Sequence, residues 1–399
     1  MALISYDNTG NRLWSKNPII IKLLAWGEPV TTSVILTIDG PGRDVTVSYP
    51  SEALAIFIPI NKLIDYLFPL QYTPPVLKVG SSYNANAQQS DRVKDLRIGW
   101  RLSTDAAGTE TWVNKKLIDG GVGTMNQANA QAVNIYSSFD AAKFFPNAGS
   151  AFLTYLPSGR KVDASMNGWI PFYLLTNVRP SIKYVIKFVD GTDAISTKLF
   201  PVLIDYTDTY WHLPFGIDQA DLDPTGIGIY KVQMMVVAGD DGEIVLGSYF
   251  FYYDYTPVYD WLDVYYRNSL GGWDAFRFDG RVELSSDAER KEHEQTVLFG
   301  AQNGMNPYYE SKLRVKWKLN TRYISAKEMA ALNDLLNSKD IRINFKNEWL
   351  PIRCLTKSLN WRDSKDGLYA QAFEFETSGD FDIMPREIVE FFALPPELR

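Results

Sequence analysis

Two histidines, His212 and His293, and one cysteine, Cys354, are all that this chain of 399 residues offers of the side chains best suited to nucleophilic or metal chemistry. A serine hydrolase needs a Ser beside a His base that a carboxylate orients, and no G-x-S-x-G elbow or comparable string occurs. The phosphate-cradling G-x-x-x-x-G-K-[ST] loop is absent. Zinc takes His or Cys at short spacing, and these three residues stand alone. A single cysteine permits no intrachain disulfide. His212, inside Tyr210-Trp211-His212-Leu213, is expected as a packed core or interface residue.

Carboxylates come closer to a reactive pattern. Asp254, Asp260 and Asp263 sit among Tyr252, Tyr253, Tyr255, Tyr259 and Trp261, and a glycosidase needs two carboxylates near an aromatic sugar platform. Alternation in a strand and its linker produces the same pattern, so a structural role is expected. Asp218, Asp221 and Asp223, ahead of Pro224, could donate oxygens to calcium. The EF-hand spacing with its terminal Glu is missing, however, and Asp is a common turn residue, so a turn is expected. No catalytic residue, metal or cofactor is assigned, and the chain is expected not to be an enzyme.

The elements that hold these residues read as sheets. Aromatic residues make up 14% of the chain, with 11 Trp and 23 Tyr, and such side chains suit a pleated, half-buried surface. Residues 1–75 read as a first β-sandwich: Val34–Ile38, the turn Asp39-Gly40-Pro41-Gly42, then alternating Val45–Tyr49 and Leu54–Ile60. Lys62–Leu67 looks like a short helical turn. Residues 76–179 form a less regular β domain, with strands at Leu96–Trp100 and Ala151–Tyr155, a loop at Gly80–Ser90 and a long loop at Gly120–Asn147. Residues 180–257 are the clearest immunoglobulin- or fibronectin-like sandwich, with strands at Ile182–Val189, Tyr230–Val237 and Ile244–Tyr253.

Residues 258–399 read as a C-terminal β-sandwich carrying one packed helix at about 326–337. Ser325-Ala326-Lys327-Glu328 is a capping box, in which the Ser hydroxyl and the Glu carboxylate each satisfy an orphan backbone N–H. Ahead of it, Leu313, Val315, Trp317 and Leu319 alternate with Arg314, Lys316 and Lys318, a half-buried strand with a basic outer face. Those three cations, set against the acidic tail Asp380, Asp382, Glu387 and Glu390, are candidates for a head-to-tail contact between subunits.

Asn268-Ser269-Leu270-Gly271-Gly272-Trp273-Asp274 is the most distinctive string. Adjacent glycines between Tyr265-Tyr266 and Phe276/Phe278 permit positive φ and a tight reversal, so a hairpin is expected, with Gly271, Gly272 and Trp273 as its candidate contact residues. The span from Tyr266 to Phe278 resembles the W-x-N-x-x-G-G-W/F-D-x-x-x-F signature of proteins from phages and prophages of Bacteroidetes, with Tyr266 where Trp is commoner. Asn17-Pro18-Ile19 and Pro59–Leu63 are similar to that family's opening domain. Gly120-Gly121 and Phe152–Pro157 are similar to its middle, and Asn320–Tyr323, the capped helix and Leu350-Pro351-Ile352 to its end. The resemblance implies a virion structural role in the tail tip or baseplate. The C-terminal part also resembles the ring-building domain of tail-tube and distal-tail proteins, although distal-tail proteins place that domain first.

Charge and terminus narrow the partners. A net charge of −7 opposes a broad grip on nucleic acid, which depends on neutralising phosphates. The opening Met1-Ala-Leu-Ile-Ser-Tyr-Asp lacks the basic and long apolar regions of a secretory signal, and no apolar run is long enough to span a membrane. Folding in the cytoplasm is therefore expected, and the resemblance implies assembly in a bacterial host and residence in the virion. The partners expected are other copies of the chain in a ring and neighbouring tail proteins. A receptor- or glycan-binding module that presents exposed Trp and Tyr to host polysaccharide is the alternative.

Overall fold

The structure is a computed structural model. It describes residues 3–6, 12–16, 20–26, 34–40, 43–49, 55–59, 68, 74–79, 82–102, 111–119, 150–203, 205–223, 226–238, 244–258, 260–292, 308–345, 348–359 and 368–379. The helical turn expected at Lys62–Leu67, the long loop at Gly120–Asn147, His293 and the acidic tail lie outside these residues. The chain is mainly β, as its aromatic and alternating composition predicts. Among the described residues, no helix is long and apolar enough to cross a membrane. The chain divides into two compact units: residues 1–154, 167–252 and 268–274 form the first, and 155–166, 253–267 and 275–399 the second.

In the first unit, alternation writes the strand Ser181–Phe188 directly. Ile182, Tyr184, Ile186 and Phe188 are buried, while Lys183 and Val185 are only half-buried and Lys187 is exposed. This strand pairs antiparallel with Asp193–Leu199 on one side and Ile229–Ala238 on the other, and the latter pairs with Ile244–Asp254. A second sheet runs Ala151–Phe152, Trp169–Leu174, Thr209–Pro214, Gln88–Ser90. Its two central strands bury all six residues each, as strands covered on both faces must.

The two sheets face one another across an aromatic core. Phe152 lies 5.4 Å from Tyr249, Phe215 stacks 4.9 Å from Phe251, and the Tyr184 hydroxyl donates to the Pro214 carbonyl at 2.8 Å. A Cβ on Gly247 would fall 2.8 Å from the Phe172 ring, so the close approach of the sheets depends on that glycine.

This sandwich draws strands from both sides of residue 180, so the boundary expected at 179/180 falls inside one packed body. The boundary at 75/76 behaves likewise. Val34–Gly40 pairs with Val93–Leu102, Ile38 opposite Ile98, in a five-stranded sheet that also holds Arg12–Trp14, Thr111–Ile118 and Arg43–Tyr49. Within the loop expected at Gly80–Ser90, the described residues include strands: Ser82–Tyr83 pairs antiparallel with Lys78–Val79, and Gln88–Ser90 joins the sandwich. Ser, Asn and Gln mark turns, but a strand can form between two turns when a sheet edge is there to receive it.

The second unit is built on a seven-stranded sheet in the order Trp273–Phe278, Leu262–Arg267, Ile341–Phe345, Glu348–Cys354, Ala372–Thr377, Tyr308–Asn320, Val282–Glu292. Laid flat, seven strands would separate the two edges by about 29 Å, at about 4.8 Å per strand. The edge strands are consecutive in sequence, joined only by Asp279-Gly280-Arg281, a link that reaches at most about 14 Å. The sheet must therefore roll until its edges approach. Phe278 accordingly meets Phe373 and Phe375 edge-on at 5.2 and 5.8 Å, although four strand spacings separate their strands along the sheet.

The interior of the roll holds Val264, Tyr266, Val315, Trp317, Leu319, Ile343 and Phe373, all essentially inaccessible, with Leu332 and Leu335 from the helical segment packed against them. That segment is two short helices, Ala326–Ala331 and Asn333–Asn337, hinged at Leu332. The capping box is formed: Ser325 Oγ accepts from Glu328 N at 3.3 Å, and the Glu328 carboxylate accepts from Ser325 N at 2.9 Å.

Candidate functional site

The Gly-Gly string is an interior clasp of the first unit. The Asn268 amide nitrogen donates to the Gly272 carbonyl at 2.8 Å, which closes the reversal, and Gly271 sits at φ 88°. The Asn268 side chain then uses both ends. Its Oδ1 accepts from Gly272 N at 2.9 Å, and its Nδ2 donates to the Leu153 carbonyl at 2.8 Å and to Asp274 Oδ2 at 2.9 Å. Thr154 Oγ1 donates to the same Asp274 oxygen at 2.9 Å.

A Cβ on Gly272 would lie 2.3 Å from Pro171 Cβ, so only glycine fits there. Gly271, Gly272 and Trp273 are all buried. Trp273 N donates to His212 Nε2 at 3.2 Å, which requires the neutral imidazole with that nitrogen as acceptor. Burial, followed by the nearby Arg92 guanidinium, pushes the His212 pKa down to about 3. This histidine is a fixed acceptor and no proton shuttle at ordinary pH.

Arg314, Lys316 and Lys318 lie on the outer face of Tyr308–Asn320, with Val315, Trp317 and Leu319 buried between them. Their cross-strand neighbours are acidic. Arg314 stands opposite Asp287, Lys316 opposite Glu376, and Lys318 between Glu283 and Glu374. Lys316 Nζ reaches Asp287 Oδ2 at 2.5 Å, and that bond raises its pKa. The outer face is thus a lattice of alternating charge within its own sheet.

The carboxylates weighed for chemistry, and expected to be structural, are likewise engaged. Asp254 Oδ1 accepts from Thr256 N at 2.9 Å and from Thr256 Oγ1 at 2.6 Å, and these bonds, the hydroxyl's first, lower its pKa. A glycosidase acid needs the opposite shift. Asp263 grips Arg277 through both oxygens at 2.6 and 2.7 Å. Asp260 is half-buried. Of the three aspartates expected in a turn ahead of Pro224, Asp223 accepts from Gly226 N and Gly228 N at 2.8 and 2.7 Å. Asp221 adopts a left-handed conformation after the short helix Ile217–Ala220, which contains Asp218. Asp221 and Asp223 sit in turn geometry, and Asp218 lies within the one-turn helix.

The centre that sequence reasoning missed is Arg277, in the second unit. Besides Asp263, its Nη1 donates to Asp163 Oδ1 and to Ser165 Oγ, both at 2.6 Å, and its guanidinium lies 3.7 Å from the centre of the Trp261 ring. Burial opposes its charge, but Asp263 and then Asp163 outweigh that and raise its pKa. Sequence carries little signal for this cluster, because Asp163 and Arg277 are 114 residues apart.

Arg277 lines a cleft of about 560 Å³ between the Pro157–Met166 segment and the turn Arg322–Glu328. Arg322 is paired there with Asp279 at 3.1 Å. Asp279 has its pKa raised by burial, against the pull of Arg322. Arg160 is buried and donates to the Ala275 carbonyl at 3.3 Å. Lys161 and Lys327 are exposed, Asp254 and Glu328 complete the charged lining, and Tyr323 is 75% exposed at the cleft. No protein-family model matches the chain, and no curated protein matches its sequence.

Proposed function

We propose that this protein is a structural building block of a bacteriophage tail, at the tip or baseplate, and that it works through protein–protein contacts. The observation that carries this reading is a set of exposed apolar side chains on the outer sheet face of the first unit. Ile195 and Leu199 are each 62% exposed, and they share that face with half-buried Val185, Met235 and Phe250, interspersed with Lys183, Thr197, Gln233 and Lys231. The opposite face, with Ile182, Tyr184, Met234 and Phe251, is the one that fills the core. Exposed apolar side chains set among polar ones, on a sheet already packed on its other face, suit contact with a neighbouring subunit. The engagement of His212, Asp254 and Asp263 in internal bonds also fits a role in assembly better than one in turnover.

The resemblance of the Tyr266–Phe278 string to Bacteroidetes phage proteins supplies the tail context. The rolled sheet with its capped helical segment supplies the ring-forming part, and heterologous contacts close into a ring when the rotation permits. Mass measurement of the full chain at high concentration, with electron microscopy of any assembly, tests this. Rings or co-assembly with tail proteins are expected, and Ile195→Lys with Leu199→Lys should weaken the assembly without lowering the thermal midpoint. A strict monomer that never enters a tail particle would overturn the proposal.

A further inference from the structure

The cleft beside Arg277 has a lining that selects a class of ligand. Five cations (Arg160, Lys161, Arg277, Arg322, Lys327) face four carboxylates (Asp163, Asp254, Asp279, Glu328). A polyanion would find almost no net attraction there. An apolar ligand would strip water from charges and return nothing for it. A hydroxyl, in contrast, both donates and accepts, so a ligand rich in hydroxyls can answer guanidiniums and carboxylates alike.

Two further features fit such a ligand. Arg322 is held by Asp279 and keeps about a third of its side chain exposed, so its remaining edge needs no ordering on binding, while buried Arg277 stiffens the wall behind it. Tyr323 exposes three-quarters of its surface at the cleft, although burying a ring of that size is favourable. Its face is free to cover the C–H face of a sugar ring while hydroxyls at the ring's edge meet the charged lining. The size of the cleft, about 560 Å³, lies within the range of roughly 300–1,000 Å³ in which small-molecule sites fall.

We propose that this cleft binds a short, neutral saccharide segment, with Tyr323 as the stacking platform and the Arg322–Asp279 ion pair as the hydrogen-bonding edge. The site is independent of whether the protein forms rings, since all its lining belongs to one unit of one chain.

The test uses the full-length chain on an array of neutral, uronic-acid and sulfated glycans, followed by titration of the best neutral oligosaccharide. Binding to a neutral oligosaccharide that changes little between low and high salt is expected. Tyr323→Ala should weaken that binding about tenfold, the scale of one aromatic contact, and Tyr323→Phe should preserve it. Both variants should keep the parent thermal midpoint, because the side chain is largely exposed. The proposal is overturned if no neutral glycan binds. It is equally overturned if only sulfated or uronic-acid glycans bind and salt abolishes the signal, or if Tyr323→Ala binds as well as the parent.

Discussion

The clasp around Asn268 and the cluster around Arg277 solve the same problem with different chemistry. Each ties together chain segments more than a hundred residues apart: Asn268 reaches Leu153 across 115 positions, and Arg277 reaches Asp163 across 114. The clasp lies wholly inside the first unit, where it relies on an amide, backbone groups, a neutral imidazole and a single carboxylate. The Arg277 cluster uses a full cation between two carboxylates and opens on a cleft. In the clasp only the buried Asp274 carboxylate loses hydration, and Asn268 Nδ2 and Thr154 Oγ1 answer it. Ion pairs are retained at less cost where solvent still reaches part of the site. The difference separates a part of the molecule built to close from one able to receive a partner.

Removing the cation should show that difference most strongly. Arg277→Met leaves Asp163 and Asp263 without their counter-ion, and loss of one partner from a buried pair costs about 3–5 kcal/mol. Asp163 and Asp263 keep 15% and 13% of their side-chain surface, so the lower end is expected by denaturant titration of the full chain. A loss below about 1 kcal/mol, the level of an exposed pair, would mean that the cluster is a surface feature.

Gly272→Ala probes the clasp, where the added Cβ must displace Pro171 or the backbone. Overpacking of that kind costs about 1–3 kcal/mol, to be read as a drop in thermal midpoint. An unchanged midpoint would show that the clasp is looser than its geometry.

The two regions should also part company in acid. His212 holds its pKa near 3 in the folded protein, against an ordinary value of 6.5. The unfolded chain therefore binds the proton first. The stability contributed by the neutral imidazole is complete above about pH 6.5 and is lost progressively as pH falls toward 3, by up to about 1.4 kcal/mol per pH unit. His212→Gln, which keeps an acceptor for Trp273 N, should flatten the pH dependence of unfolding over that window. The same slope in parent and variant would assign it to other groups. The smallest effect belongs to the helix cap. Ser325→Ala should cost about 1 kcal/mol, and no change in the midpoint would show that tertiary packing alone sets the helix start.

Features that depend on neighbours along the chain are legible in the order of the residues. Alternation places the strands Ser181–Phe188 and Tyr308–Asn320, because a period of two is a local property of a half-buried strand. The capping box at Ser325 and Glu328 is legible for the same reason, since its two bonds span three residues. The paired glycines announce a reversal.

Pairing and partnership are decided only by the tertiary structure. Turn residues mark where a strand stops and say nothing of which strand it will join, so the boundaries expected at 75/76 and 179/180 fall inside sheets shared by Val34–Gly40 with Val93–Leu102 and by Trp169–Leu174 with Thr209–Pro214. The basic strand is visible in the residue pattern, but the acids that answer it across Val282–Glu292 and Ala372–Thr377 are not. A structural role for Asp263 is expected from its sequence context, but only the fold sets Arg277 against it. A side chain's type is fixed by its codon and its strand by its near neighbours, but its charge partner, burial and pKa depend on which distant segment the fold packs beside it.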